Sequence, residues 1–229
     1  MDTFIGARVD GILVSISKNT KDFSHFTAVK DKNIPIAFFD RTNEDLNISS
    51  VCIDDYLGGF MATKSLIESG YTKIAHICGP LHIHAFSERV RGYKNALMES
   101  NLDVYDDFIF NGDISIETGR NALRFFLNLK NQPDAIFAVE DFTALGVLKE
   151  LKDLSINVPE DFGVIGFCND LFGEHITPSL STIDQKTNEM GEEAFNLIYE
   201  LIQNNKKDKD NQKRILTPTL IVRESSQKS

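Results

Sequence analysis

The chain has 229 residues, 41% hydrophobic and 25% charged, an ordinary globular composition with enough apolar material for one or two compact domains, which excludes disorder and fibrous structure. Its 34 acidic against 24 basic residues leave a formal charge of −10, which repels a phosphate backbone unless basic residues cluster on one face. Three widely spaced cysteines, Cys52, Cys78 and Cys168, each within an apolar run, exclude a disulfide framework and fit reduced thiols in a cytoplasmic protein.

The opening MDTFIGARVDG has no basic n-region and no apolar h-region. No apolar run approaches the ~20 residues of a membrane span, so no membrane partner is expected. Strands are expected over Gly11–Ser15, Pro35–Asp40, Ser50–Ile53, Lys73–Cys78, Asp107–Phe110, Ala135–Val139, Gly163–Phe167 and Leu216–Val222, with Val9 entering the first of them and nothing before it. Most are nearly continuous in apolar residues, as in parallel strands covered on both faces. Apolar residues recur at helical spacing between them: Phe60, Leu66 and Ile67; Val90, Tyr93 and Leu97; Leu123, Phe126 and Leu127; Leu145, Leu148 and Leu151; Met190, Ala194, Leu197 and Leu201. Lys206 to Arg214, where Asp208 and Asp210 interrupt the lysines, is expected as a solvated loop rather than a nucleic-acid surface.

Repeated βα units build open parallel sheets that bind ligands beyond the carboxyl ends of their strands. Polar or turn-forming residues stand at those ends: Asp40 and Arg41, Gly79 and Pro80, Glu140 and Asp141, and Cys168 to Asp170. Their convergence favours a small-molecule pocket. Phosphate loops, Walker lysines, HExxH, CxxC and GxSxG are all missing, so neither catalysis nor a cofactor is expected. His82 and His84 lack a sequence-adjacent partner for a metal. Asp54 and Asp55 read as helix-capping residues, and Asn47-Ile48-Ser49 as a glycosylation triplet without consequence in a cytoplasmic protein.

Eight segments in order, RVDGILVS, IPIAFFDR, CIDDYLGGFMATKSLIESGYTKIAHICGP, ERVRGYKNAL, PDAIFAVEDFTALGVLKEL, NVPEDFGVIGFCND, PSLSTIDQ and LIVRESS, resemble the effector-binding core of LacI/GalR (lactose/galactose repressor) transcription regulators. The resemblance implies two doubly wound α/β parallel-sheet lobes of the periplasmic-binding-protein type, with effector held between them and the first lobe incomplete here. Residues 1–53 and 186–212 are assigned to the partial first lobe and 54–185 and 213–225 to the second. The helix-turn-helix head through which the family contacts operator DNA has no counterpart in these residues, and a homodimer is implied.

The same resemblance assigns Asp40, Arg89, Ile114, Glu140, Cys168 and Gln185 to the effector site. Arg89 is expected to bond ligand hydroxyl or anionic groups, and Arg89→Ala to abolish binding while leaving the fold largely intact. Asp40 is expected to accept from hydroxyls, and Gln185 to contact both ligand and lobe interface. Ile114 stands where sugar-binding members often carry an aromatic ring, and Cys168 where they carry a ligand-binding aspartate. Glu140 replaces a small polar residue and, with Asn169, is a candidate substitute acceptor. Two other readings are weighed beside a ligand-gated regulator: a small-molecule binding protein of a transporter, and an enzyme on the same fold. The edge of the Gly11–Ser15 strand is expected to promote association.

Overall fold

The computed structural model describes residues 1–203 and 211–228, which divide into two compact units. The first comprises Met1–Asp54 and Lys186–Thr217, the second Asp55–Gln185 and Pro218–Ser229.

In the first unit, β1 (Ile12–Val14), β2 (Ile36–Phe39), β3 (Ser49–Ile53) and β9 (Lys213–Leu216) form a parallel sheet in the order β1-β2-β3-β9. A short helix α1 (Asp2–Gly6) precedes β1, so the strand begins at Ile12 and not at Val9. Helix α2 (Ser24–Asp31), absent from the periodicity reading, buries only Phe26 and Val29, and Phe26 meets Phe38 edge-on at 5.1 Å. Two buried positions in eight residues are too few to stand out as a stripe. Helix α7 (Thr187–Gln203) buries Met190, Ala194, Leu197, Ile198 and Leu201 and packs on β1, β2 and β3. Among the described residues β1 pairs with β2 alone, leaving its outer edge open.

The second unit carries a six-stranded sheet in the order β10-β8-β7-β6-β4-β5, built from β4 (Ile74–Cys78), β5 (Ile109–Asn111), β6 (Ala135–Ala138), β7 (Gly163–Cys168), β8 (Ser181–Asp184) and β10 (Thr219–Ile221). All neighbours are parallel except β10, which runs antiparallel to β8. Successive side chains of a strand face opposite sides of the sheet. Ala75, Ile77, Ile136, Ala138 and Val164 accordingly pack with α5 (Ile116–Leu127) and α6 (Asp141–Asp153), whereas His76 and Phe167 meet α4 (His84–Glu99) and α3 (Asp55–Glu68). The helices therefore cover both faces, which is why the strands read as uninterrupted apolar runs.

Three expectations need correction. The run Leu216–Val222 is two strands, because Pro218 has no N–H for a ladder and the chain changes sheet at Thr217. Lys213–Leu216 pairs with β3 and so belongs to the first unit, not to the second as residues 213–225 had been assigned. The stretch Lys206 to Arg214 lies in part outside the described residues. Its end is strand rather than loop, where Arg214 pairs with Glu193 at 2.9 Å and Glu200 at 2.7 Å. Strand β8 was not anticipated: its Ser181 and Thr182 are polar, yet both are fully buried and hydrogen-bonded.

His76 sits in the core of the second unit, stacked on Phe137 at 4.5 Å and on Tyr93 at 5.3 Å, with Nδ1 donating to Phe137 O at 2.8 Å. Its Nε2 is buried with no hydrogen-bond partner among the described residues. Burial, with the charge of Arg89 adding to it, pushes the His76 pKa from 6.5 down to about 4. Below pH 6.5 the unfolded chain takes up a proton that the folded chain refuses, so this contribution to stability is lost as pH falls from 6.5 toward 4. Going from pH 7 to pH 5 it costs on the order of 2 kcal/mol. His76→Phe, which keeps the stacking ring, is expected to remove about that much acid sensitivity in denaturant titrations at the two pH values; an unchanged difference would contradict it.

Candidate functional site

The second unit places its polar side chains where its parallel strands end. Arg89 projects from the second turn of α4 and is 3% exposed. Its Nε donates to Asp55 Oδ1 at 2.8 Å and its Nη1 to Val139 O at 2.7 Å, while the guanidinium carbon lies 3.5 Å from the centroid of the Phe167 ring. Among the described residues Nη2 makes no hydrogen bond, so the fork keeps an open donor edge. Helix packing sets this position. A Cβ on Gly59 of α3 would collide with the Arg89 carbonyl, and one on Gly92 of α4 with that of Tyr56, so the two helices cross at backbone contact. That approach puts Asp55, at the start of α3, beside Arg89.

Asp55 is therefore the partner of a buried cation, a role that its place at a helix entry did not reveal. Side-chain exposures of 4% and 8% make Arg89 and Asp55 a desolvated pair. Attraction in such a pair offsets the desolvation only while both members are present.

Cys168 closes β7 with a left-handed backbone, φ 122°, and its Sγ accepts from Gln185 Nε2 at 2.9 Å. Burial pushes the thiol pKa well up, so a neutral thiol stands where the resemblance implies that sugar-binding members carry an aspartate. Gln185 follows β8 and is itself buried. Glu140 caps α6, accepting from Phe142 N at 3.0 Å, Thr143 N at 2.6 Å and Thr143 Oγ1 at 2.6 Å. Both of its oxygens are thus engaged within the helix terminus. Asn169 Oδ1 is likewise occupied, by Arg223 Nη2 at 3.0 Å. Neither residue presents an unengaged side-chain oxygen to stand in for the aspartate.

Arg89, Cys168 and Gln185 are brought together with Glu140 at the ends of β6, β7 and β8. Ile114 lies on the loop between β5 and α5, half-buried, its N–H donating to Asp113 Oδ1 at 2.9 Å. Asp40 belongs to the first unit, where it ends β2 with φ 60° and accepts from Ser15 Oγ at 3.0 Å and Arg41 Nε at 3.2 Å. Leu171, 84% exposed, and Phe142, which touches Phe172 at 4.9 Å, give the strand ends of the second unit an apolar margin.

Asp141, read only as a polar strand-end residue, is fully buried and accepts from Thr182 Oγ1 and from Asp170 N, both at 2.7 Å. Burial raises its pKa to about 6 against those bonds. Its charged form is disfavoured in the fold, so its effect on stability runs opposite to that of His76, improving as pH falls from about 6 toward 3.8. Among the described residues no group of three His, Cys, Asp or Glu side chains is disposed to hold a metal.

With Asp55 as its buried partner, Arg89→Ala is expected to do more than remove a donor and to disturb the fold more than the sequence alone implies. It leaves the Asp55 carboxylate buried without its cation and costs about 3–5 kcal/mol of stability, read as a lowered denaturant midpoint. A change below about 1 kcal/mol would show the pair to be incidental.

The geometry has close parallels. The periplasmic binding protein-like domain family matches residues 63–226. The HTH-type transcriptional repressor PurR of Vibrio vulnificus is 34% identical over 223 residues, covering 96% of this chain and 65% of the relative. The chain thus spans just under two thirds of that repressor's length. Among solved structures, the transcriptional regulator CelR in complex with cellobiose superposes with a TM-score of 0.89 at 30% identity, covering 98% of this chain and 68% of that one. The transcription regulator CcpA of Lactococcus lactis gives a TM-score of 0.89 at 29% identity, with 99% and 81% covered. Topology and these likenesses agree that the chain belongs to the LacI/GalR family of transcription regulators, as its periplasmic-binding-protein-like effector core.

Proposed function

We propose that this chain senses a small polar effector and transmits its presence to a DNA-binding head lying outside these residues. The observation that carries the reading is Arg89, a buried guanidinium whose Nη2 is left as an open donor at the carboxyl ends of a parallel sheet. A donor edge fixed on two sides and backed by an aromatic ring is pre-organised for a ligand oxygen, so little ordering remains to be done on binding.

In this reading Arg89 and Gln185 contact the effector, Cys168 forms a neutral wall, and Ile114 supplies an apolar contact. Glu140 acts at one remove by capping α6, and Asp40, which ends a strand of the first unit, is a candidate acceptor for hydroxyl groups there. Cys168 removes an anionic acceptor, which disfavours ligands recognised through several hydroxyl donors and leaves the effector's chemical class open between a sugar and a related metabolite. The matched regulators support a sensor that binds without turnover. The reading includes a homodimer, and by linkage an effector shifts operator affinity only as far as it prefers one arrangement of the protein. With a net charge of −10, these residues are not expected to hold DNA themselves.

Thermal denaturation in the presence of mono- and disaccharides, cellobiose among them, and of sugar phosphates tests the reading. A true effector at about 100 times its dissociation constant stabilises by about 2.7 kcal/mol. Arg89→Lys, which keeps a charge beside Asp55 but loses the fork, is expected to weaken that effector by about 1.5–3 kcal/mol. Conversion of the ligand to product, or an effector bound equally well by Arg89→Lys, would overturn it.

A further inference from the structure

At the end of β7 the chain turns through two consecutive non-glycine residues with left-handed backbone, Cys168 at φ 122° and Asn169 at φ 58°. Residues bearing a Cβ adopt such conformations only where surrounding bonds over-determine them. Two of those bonds come from neighbouring strands and helices. Asn169 N donates to Thr182 Oγ1 at 3.2 Å, which in turn donates to Asp141 Oδ1 at 2.7 Å, and Asp170 N donates to Asp141 Oδ2 at 2.7 Å.

The third comes from the far end of the chain. Arg223 Nη2 donates to Asn169 Oδ1 at 3.0 Å, and Nη1 of the same guanidinium donates to Leu180 O at 2.7 Å. One rigid fork thus joins the segment entering β8 to the turn leaving β7, a span that a single-point ammonium does not reproduce. The backbone beneath that fork is anchored independently. Arg223 N donates to Ser181 Oγ at 2.8 Å, Ser181 Oγ donates to Arg223 O at 3.0 Å, and Ser225 Oγ donates to Val164 O at 2.6 Å. Removing the side chain therefore leaves the C-terminal segment anchored through its backbone while releasing the Asn169 side chain of the turn and the Leu180 carbonyl.

We infer that Arg223 is a positioning residue for the effector site: its guanidinium holds the Cys168–Asp170 turn in the strained form that sets Cys168 against Gln185 beside Arg89. The inference rests on the reading of that strand end as an effector site. Arg223 touches no ligand in this account and acts through Asn169.

The Cys168 thiol reports on the turn without any ligand, and Cys78, fully buried in β4, reports on opening of the second unit as a whole. Alkylation of the 229-residue chain by iodoacetamide, quantified cysteine by cysteine by mass spectrometry, is compared for the parent, Arg223→Met and Arg223→Lys. Loss of the fork is expected to raise the Cys168 rate about tenfold while the Cys78 rate and the melting temperature hold, as for a local opening. The increment should vanish in an Asn169→Gly background, where the acceptor is gone and left-handed backbone is tolerated. An unchanged Cys168 rate in a folded variant, a rise shared by Cys78, or the same increment with Asn169→Gly would overturn the assignment. Failure of the effector reading itself would appear separately, in the ligand-dependent melts.

Discussion

The buried ion pair of Arg89 and Asp55 is the constraint on which the strand end of the second unit depends. It joins α3 to α4 where Gly59 and Gly92 already bring the helices into backbone contact, and it aims the guanidinium across Val139 O and the Phe167 ring. Burying both charges is costly, and replacement of such pairs by apolar side chains is often neutral or stabilising. On the proposed reading the open Nη2 accounts for its presence: Asp55 stabilises a guanidinium that would be kept dry and oriented for a ligand.

Around that pair the remaining polar groups satisfy one another. Glu140 is occupied by the amides of α6, Asp141 by Thr182 and Asp170, and Asn169 by Arg223. Such a network fixes the turn after β7 in a conformation its residues disfavour, and full satisfaction of its members is what makes that tolerable in a low-dielectric setting. Cys168, neutral and accepting from Gln185, fits a strand end whose carboxylates are already committed. A further aspartate there would stand beside Asp141 and Asp170, whose carboxyl groups burial already biases toward the protonated form.

The fold was largely legible because strands covered on both faces spell themselves as apolar runs, as IAHIC and GVIGFC do, and because long helices such as α7 carry an unbroken apolar stripe. Strand β8 escaped because STID buries hydroxyls that pair with Arg223 O and Asp141, partners remote in sequence. The break at Pro218 was a local signal that the apolar run around it masked. Within the candidate site, Arg89 and Cys168 are assigned through motif resemblance. Asp55 reads as a cap in the sequence because nothing local distinguishes a capping aspartate from one that meets an arginine across a helix crossing. Arg223 was invisible for the same reason, since its partner lies 54 positions away.

The central claim, that the Arg89–Asp55 pair is retained for binding rather than for stability, is tested most directly by the double variant Arg89→Met/Asp55→Leu, measured by denaturant unfolding with and without the effector identified by melting. The account predicts that the double variant regains most of the stability lost by Arg89→Met alone and shows no stabilisation by the effector. A double variant that binds as the parent does, or that remains as unstable as Arg89→Met, would contradict it.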